Sequence, residues 1–438
     1  MQRLRIIKWP RGLIYSTLYM TFFIGLLESL GAPHAITYLY DIVTLVLVVY
    51  LFGSRRSLSE IIRNTTVKMQ LILFAFGVLV AAINSVSSVL IIWGLRNNIR
   101  FIIFFDACLL YLKERDVERL QSLFFKIEII NFILVLFEYF ILGFARDNLG
   151  GIFGTGDGVN GILNCFIVIQ LVHHFVEWIP KKERMLPLIV STGMSLIIAT
   201  LSEIKIFFVE LVLVFIIYFV WIMLIEHNYK TVFKYIAIVF IAVIAASYAI
   251  QSLVKIYPDM GDFFSIEKIL YHATKAEGYT GHGDLNRLSA IRTINSSIFS
   301  GSIVKQLFGL GLGATEFAVG HDLLTSAFYS QYQYLHYSYF SLPWMYLETG
   351  YIGLFFYVGS FLKIVLDCIK YRHRKDIITV ITTTFIITLM TLLFLIYNQS
   401  MRTSASYLVY VYLSFFYVVI DDRELIKKSN SQYIILEY

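Results

Sequence analysis

The amino-acid sequence predicts an all-α, polytopic integral membrane protein with about twelve transmembrane helices, and three observations carry that prediction. Of 438 residues, 58% are hydrophobic and only 15% charged, and the mean hydropathy is +0.72; ordinary soluble domains carry roughly 25% charged residues. Apolar runs of helix-spanning length recur along nearly the whole chain, and a hydrocarbon core about 30 Å thick needs about twenty residues per helical crossing. The runs are continuous, not alternating, which argues against the period-two pattern of a membrane β-barrel.

Taken in order, Arg3, Arg5, Lys8 and Arg11 lead into an apolar run from Gly12 to Leu30. That run has no small-residue cleavage site, so the first helix is predicted to stay as an anchor. Further spans are predicted at residues 35–52, 69–92, 99–112, 120–143, 159–177, 186–201, 206–225, 232–252, 344–369, 377–397 and 403–420. Lys and Arg set the orientation, because they accumulate in short cytoplasmic loops. With the N-terminus inside, about 23 fall in inner segments and about 5 in short outer ones. The inner set includes Arg55, Arg56, Arg63, Lys181, Lys182, Arg184, Lys370, Arg372, Arg374, Lys375, Lys427 and Lys428. Twelve crossings bring the C-terminus back to the cytoplasm. The inner loops account for the net charge of +6, which therefore implies no nucleic-acid partner. Cys108, Cys165 and Cys368 lie within apolar runs or at their ends, a pattern that suggests neither a disulfide nor a cysteine metal site.

Residues 1–438 read as a single membrane domain, without a soluble domain or an internal repeat. One connection is unusually long. Residues 252–343 form a large loop on the outer face, and loops of that length are functional or disordered. Phe263-Phe264, Ile266 to Tyr271 and the tyrosine-rich run Tyr329 to Tyr339 predict order. The loop also carries four of the nine histidines: His272, His282, His321 and His336.

No Walker loop, nucleotide-binding glycine pattern or His-x-x-x-His pair is present. An energy-coupled pump is disfavoured, and a substrate handled outside the cell has to arrive already activated. The loop holds Arg287 and Arg292 on a predicted helix over 285–298, then Leu307-Phe-Gly-Leu-Gly-Leu-Gly313, His321 and His336, and Glu348-Thr-Gly350-Tyr-Ile-Gly353 opens the tenth span. Helical spacing puts Arg292 on the face of Leu285 and Leu288, and an arginine on an apolar face calls for an anion.

This order resembles the signature of the O-antigen polymerase and O-antigen ligase superfamily of membrane glycosyltransferases: an arginine, a spaced Gly-x-Gly, a histidine, then Glu-x-Gly-x-x-Gly at the head of a membrane helix. Gly150-Gly-Ile-Phe-Gly-Thr-Gly-Asp-Gly-Val-Asn160 is similar to the family's glycine-rich turn. Three departures stand out. Ser202-Glu-Ile-Lys205 replaces a serine followed by arginine, so Lys205 takes the place of that cation. The spacing from His336 to Glu348 is about three residues longer than in the ligase-like form, with Pro343 inside it. No aromatic residue follows Arg287 or Arg292.

The resemblance implies a bacterial inner-membrane enzyme, an O-antigen or similar surface-polysaccharide polymerase. Its substrate would be an undecaprenyl-diphosphate-linked oligosaccharide, transferred on the periplasmic face to the hydroxyl of a new lipid-linked repeat. A chain-length regulator is an implied partner beside the lipid bilayer, and no cofactor or metal is required. Histidine suits proton removal from the acceptor, with His336 and His321 as alternatives. Arginine or lysine suits the departing diphosphate, which nominates Arg287, Arg292, Lys205 and Arg402. The competing readings are an O-antigen ligase, a lipid-linked oligosaccharide flippase and, for each cation, an interfacial side chain reaching to lipid phosphate. Glycines 309, 311 and 313 read first as a turn. Asp41, Glu138 and Glu210 lie within spans and read as functional or as helix-pairing groups. A reporter fused after Tyr271 or Gly320 should read as outside and one after Ser54 or Arg374 as inside; a cytoplasmic signal from the long loop would refute the topology.

Overall fold

The computed structural model describes residues 8–53, 64–156, 158–178, 185–226, 283–318 and 320–436. Within them the chain is helical and contains no strand. Eleven long helices are labelled α1 (Lys8–Ser29), α2 (Leu39–Phe52), α3 (Thr65–Ile83), α4 (Ser88–Tyr111), α5 (Glu114–Phe140), α6 (Asn160–Trp178), α7 (Met185–Leu201), α8 (Ile206–Glu226), α9 (Ser341–Tyr371), α10 (Ile378–Tyr397) and α11 (Ala405–Leu436). Among the described residues ten helices are long and apolar enough to cross a membrane, and α7 is a shorter apolar one. The span expected at 232–252 lies outside the described residues, as do residues 252–282 of the long loop, with His272 and His282.

The centre of the bundle is built from α6 and α11, whose apolar windows are 78% and 83% buried. Around them α11 packs on α4, α10 on both α6 and α9, and α9 along α3. Lipid offers no hydrogen bonds, so polar side chains in such a core have to find partners on neighbouring helices. Gln70 Nε2 of α3 donates to Ser360 Oγ (2.8 Å) on α9 and to Tyr410 Oη (3.0 Å) on α11. Gln170 Nε2 of α6 donates to Tyr412 Oη (3.3 Å), and Trp221 Nε1 of α8 to Thr382 Oγ1 (2.8 Å) at the start of α10.

Two helix boundaries differ from the sequence expectation. The spans placed at 69–92 and 99–112 are helices over Thr65–Ile83 and Ser88–Tyr111, with the turn at 84–87. The connection expected over 93–98, with the polar string Arg96-Asn97-Asn98, lies inside α4. Helix is kept there because the side chains find partners: Arg96 on Asp41 of α2, Asn97 on Glu316 (2.8 Å) and Asn98 on the Gly94 carbonyl (2.7 Å).

At the end of the bundle where residues 283–340 lie, here the loop end, three glycine-bearing segments wedge between helices. The turn Gly151–Phe153 sits so close to α1 that a Cβ on Gly25 would meet the Phe153 carbonyl oxygen at 1.8 Å. Glu138 of α5 accepts the Gly150 and Gly151 amides at 3.2 and 2.8 Å, which accounts for that intramembrane carboxylate as a turn anchor. The second segment, residues 309–313, packs on α3, α4 and α9. The third is the kink in α9 at Gly350 (φ 61°, ψ −164°). At the kink, the Leu347 and Glu348 carbonyls accept the Leu310 and Gly311 amides, each at 2.8 Å, and the Leu312 amide donates to Gly77 O of α3 at 2.9 Å. A broken membrane helix persists only where such partners satisfy its backbone.

Gly311 has φ +100°, and a Cβ there would lie 2.2 Å from Ala81 Cα. Gly320 also has positive φ (+76°) but nothing within 4 Å. Gly311→Ala should therefore cost at least about 2 kcal/mol from clash plus backbone strain, while Gly320→Ala should cost about 1 kcal/mol from conformation alone. Thermal unfolding of the detergent-purified variants should show the larger loss for Gly311→Ala, and equal losses would contradict the packing described.

Candidate functional site

The loop-end segment from 283 to 340 is a string of short helices and turns: Ala290–Thr293 continuing as a π-turn over Ile294–Ile298, then Ile303–Phe308, Ala327–Tyr332 and several 3-10 turns. The helix expected over 285–298 is thus partly formed. Leu285 is fully buried while Leu288 is 58% exposed, and Arg292 is exposed like Leu288.

The deepest feature is a buried ionic cluster. Arg402, in the 3-10 turn Ser400–Arg402 between α10 and α11, pairs through Nη2 with Glu316 Oε1 and through Nη1 with Glu348 Oε2 at 3.3 Å. Its side chain is 2% exposed, those of Glu316 and Glu348 1% and 0%, and its guanidinium lies 3.7 Å from the centre of the Trp344 ring. The remaining carboxylate lone pairs accept neutral donors. Asn97 Nδ2 reaches Glu316 Oε2 at 2.8 Å, and the Gly313 amide and Thr315 Oγ1 each reach Glu348 Oε1 at 3.0 Å. Burial alone would lower the Arg402 pKa, but the two carboxylates outweigh it and hold the guanidinium above its usual value. Tyr337 closes the cluster by donating from Oη to the Thr315 carbonyl at 2.6 Å. Burial, with the nearby Glu348 and Glu316 charges, raises its pKa and keeps that hydroxyl protonated.

The cluster extends sideways through Asn97 to its neighbour Arg96, whose Nη1 donates to Asn97 Oδ1 at 2.8 Å. Arg96 holds Asp41 with two bonds, Nε to Oδ1 at 2.8 Å and Nη2 to Oδ2 at 2.5 Å. Asp41 is thereby explained as a helix-pairing group. Glu316 was not visible in the sequence as a site residue; its position three residues after Gly313 was the available signal.

The other predicted residues divide into two places. Leu285 N–H donates to Leu335 O at 2.9 Å, which ties the Arg287 segment to the His336 segment. Arg287 lies over the Tyr397 ring (4.1 Å) and near Phe340 (5.6 Å), with Nε donating to Tyr397 O at 3.2 Å. His336 is half-buried and stacks on Tyr339 at 4.8 Å. Its backbone is left-handed (φ 48°, ψ 32°), clamped between buried Leu335 and buried Tyr337. So the segments carrying Arg287 and His336 lie together at one edge of the bundle. His321, by contrast, is exposed and heads the turn Asp322–Leu324, which packs against α4.

Lys205 is exposed in the turn between α7 and α8, and Arg146 pairs with Glu203 (3.1 Å) in the same region. Glu210 is fully buried and accepts from Asn164 Nδ2 at 3.1 Å, while Asn160 donates to Asp147 at 2.6 Å. Asp157 lies outside the described residues. Glycines 309, 311 and 313 form a turn, as read, and Gly313 also supplies the amide that Glu348 accepts. No group of three or more metal-ligating side chains occurs among the described residues.

No family model and no curated protein matches this chain.

Truncating Arg402 to Met should strand two buried carboxylates and cost about 3–5 kcal/mol. Changing Glu316 and Glu348 to Gln in the same molecule should recover much of that loss. Thermal midpoints in detergent would decide: an Arg402→Met protein as stable as wild type would mean the cluster contributes nothing to the fold.

Proposed function

We propose that this protein is a bacterial inner-membrane glycosyltransferase of the O-antigen polymerase type, with the loop end facing the periplasm and both termini in the cytoplasm. One observation carries the reading: Arg287 and His336, nominated separately from sequence order, share one edge of the bundle, and His336 is held there in a left-handed conformation. A non-glycine residue in that region costs of order 1–3 kcal/mol, and such strain concentrates at functional sites.

The chemistry follows from the two residues. A glycan linked through diphosphate to undecaprenol is the donor, and a sugar hydroxyl on a second lipid-linked repeat is the acceptor. His336 takes the hydroxyl proton as the acceptor oxygen bonds to the anomeric carbon of the donor. The bond from that carbon to the phosphate oxygen breaks, and undecaprenyl diphosphate departs with the electron pair. Arg287 and the exposed Arg292 stabilise the charge gathering on the diphosphate. Arg402 takes no direct part, because a phosphate there would have to displace Glu316 or Glu348. Lys205 serves as a peripheral lipid-phosphate contact, and His321 is the base only if His336 is dispensable. A chain-length regulator is the protein partner this reading calls for.

Asn tolerates the left-handed region and cannot act as a base at neutral pH, so His336→Asn should keep the fold and lose about a hundred- to ten-thousand-fold in transfer rate. With purified protein and lipid-linked repeats, single repeats should accumulate without a ladder, and EDTA should leave the wild-type ladder intact. Arg287→Lys should restore only part of what Arg287→Ala loses, because Lys lacks the bidentate fork. Normal ladders from His336→Asn with none from His321→Ala would move the base to His321, and normal ladders from both would remove histidine from the mechanism.

A further inference from the structure

We infer that residues 303–308 of the long loop are seated in the bilayer between α3 and α9, with their apolar side chains against lipid acyl chains. The short helix Ile303–Phe308 reads Ile-Val-Lys-Gln-Leu-Phe. Ile303 and Val304 are 71% and 67% exposed, and Leu307 and Phe308 are exposed as well. Four of its six residues therefore turn apolar surface away from the rest of the described residues. A cluster of that kind marks an interaction surface, and its neighbours identify the partner.

The Phe308 ring stacks on Phe76 of α3 at 6.0 Å. Helical spacing puts Phe76 on one face with Ile72, Leu79 and Ile83, and all three of these are exposed. On α9, against which the short helix packs, Tyr351, Phe355 and Leu362 form a second exposed stripe. Both long helices are apolar enough to cross a membrane, so the two stripes face lipid, and residues 303–308 continue them. That continuity selects lipid over a protein partner.

Depth along both helices agrees. A Cβ on Gly350 of α9 would meet the Leu307 carbonyl oxygen at 2.4 Å. From Gly350 to Lys370 is twenty residues, about 30 Å and so one hydrocarbon thickness. On α3, Phe76 lies seven residues inside the Ile83 end, about 10 Å along the axis. Lipid admits a chain segment only when its backbone polar groups find partners. The Lys305 amide donates to Ser302 Oγ at 3.4 Å, and the Gln306 and Gly309 amides donate to the Ser302 and Lys305 carbonyls at 3.0 and 2.8 Å. Lys305 carries the one charge of the segment, and its long stem lets the ammonium reach the headgroup layer. The seat gives the loop end an anchor on the lipid side, directly before the glycine turn over 309–313.

The test places a fluorophore on Val304→Cys in the full chain, reconstituted in phosphatidylcholine nanodiscs; Cys108, Cys165 and Cys368 are buried and leave the introduced thiol as the accessible one. Phe355→Cys on α9 serves as the lipid-facing reference, and Gln333→Cys, exposed on the loop, as the water-facing one. Nitroxide-labelled phosphatidylcholine quenches from the lipid and iodide from the water. The Val304 probe should show the same ratio of nitroxide to iodide quenching as the Phe355 probe, while the Gln333 probe should be quenched chiefly by iodide. Ile303→Cys should repeat the Val304 result, which guards against a misfolded single variant. Iodide quenching at the Gln333 level would put the segment in water and overturn the inference. Protection from both quenchers would overturn it too, because the segment would then be covered by protein; cross-linking between differently tagged copies tells a second chain from another part of the same one. Polymer synthesis plays no part in the readout, so its outcome is independent of the function proposed above.

Discussion

Arg402 is the residue on which the loop end depends, because it reconciles two carboxylates that could not otherwise be buried together. Glu316 arrives on the loop and Glu348 on the upper part of α9, while Arg402 stands between α10 and α11. One guanidinium therefore fixes the relative position of four parts of the chain, and Asn97 brings in a fifth, α4. Removing one partner of such a cluster leaves an uncompensated charge in a medium of low dielectric, whereas the intact cluster contributes modestly to net stability. Its effect is to specify geometry. The glycine turn over 309–313 follows from it, since Glu348 can accept the Gly313 amide only if that backbone comes close.

The same economy of partners appears deeper in the bundle. Glu128 on α5 accepts from Ser191 Oγ on α7 at 2.6 Å, and Glu210 on α8 accepts from Asn164 on α6. Each joins helices distant in sequence by a hydrogen bond that lipid cannot replace. Sequence reading flagged Glu210 as ambiguous between function and pairing, and its contact with Asn164 accounts for it as pairing.

The helices were legible because their signal is composition over about twenty residues, which tolerates local irregularity. Boundaries failed where composition misled: Arg96, Asn97 and Asn98 look like a loop when read alone. They belong to a helix because Asp41 lies 55 positions and Glu316 219 positions away in the chain, and no local window contains those partners. The candidate site was legible in part for the same reason. Arg287 and His336 carry polar chemistry at recognisable places in the outer loop, so the sequence singled them out one at a time. That they share an edge depends on the Leu285–Leu335 hydrogen bond, a pairing across fifty residues. Arg402 was selected as a cation at the end of a span, but its partners were invisible, so its neutralisation could not be foreseen.

The way residues 309–316 are seated has a consequence for insertions and chimeras. Their amides bond directly to the backbones of α3 and α9, and a Cβ on Gly313 would strike the Leu90 carbonyl of α4. This stretch is therefore part of the bundle wall and admits no change of length. Gly320 is different: it is exposed with open space around it, ahead of the turn Asp322–Leu324 that packs on α4. Epitopes and labels are therefore tolerated better beside Gly320 than anywhere within 309–316, whose length is set by the helices it bonds to.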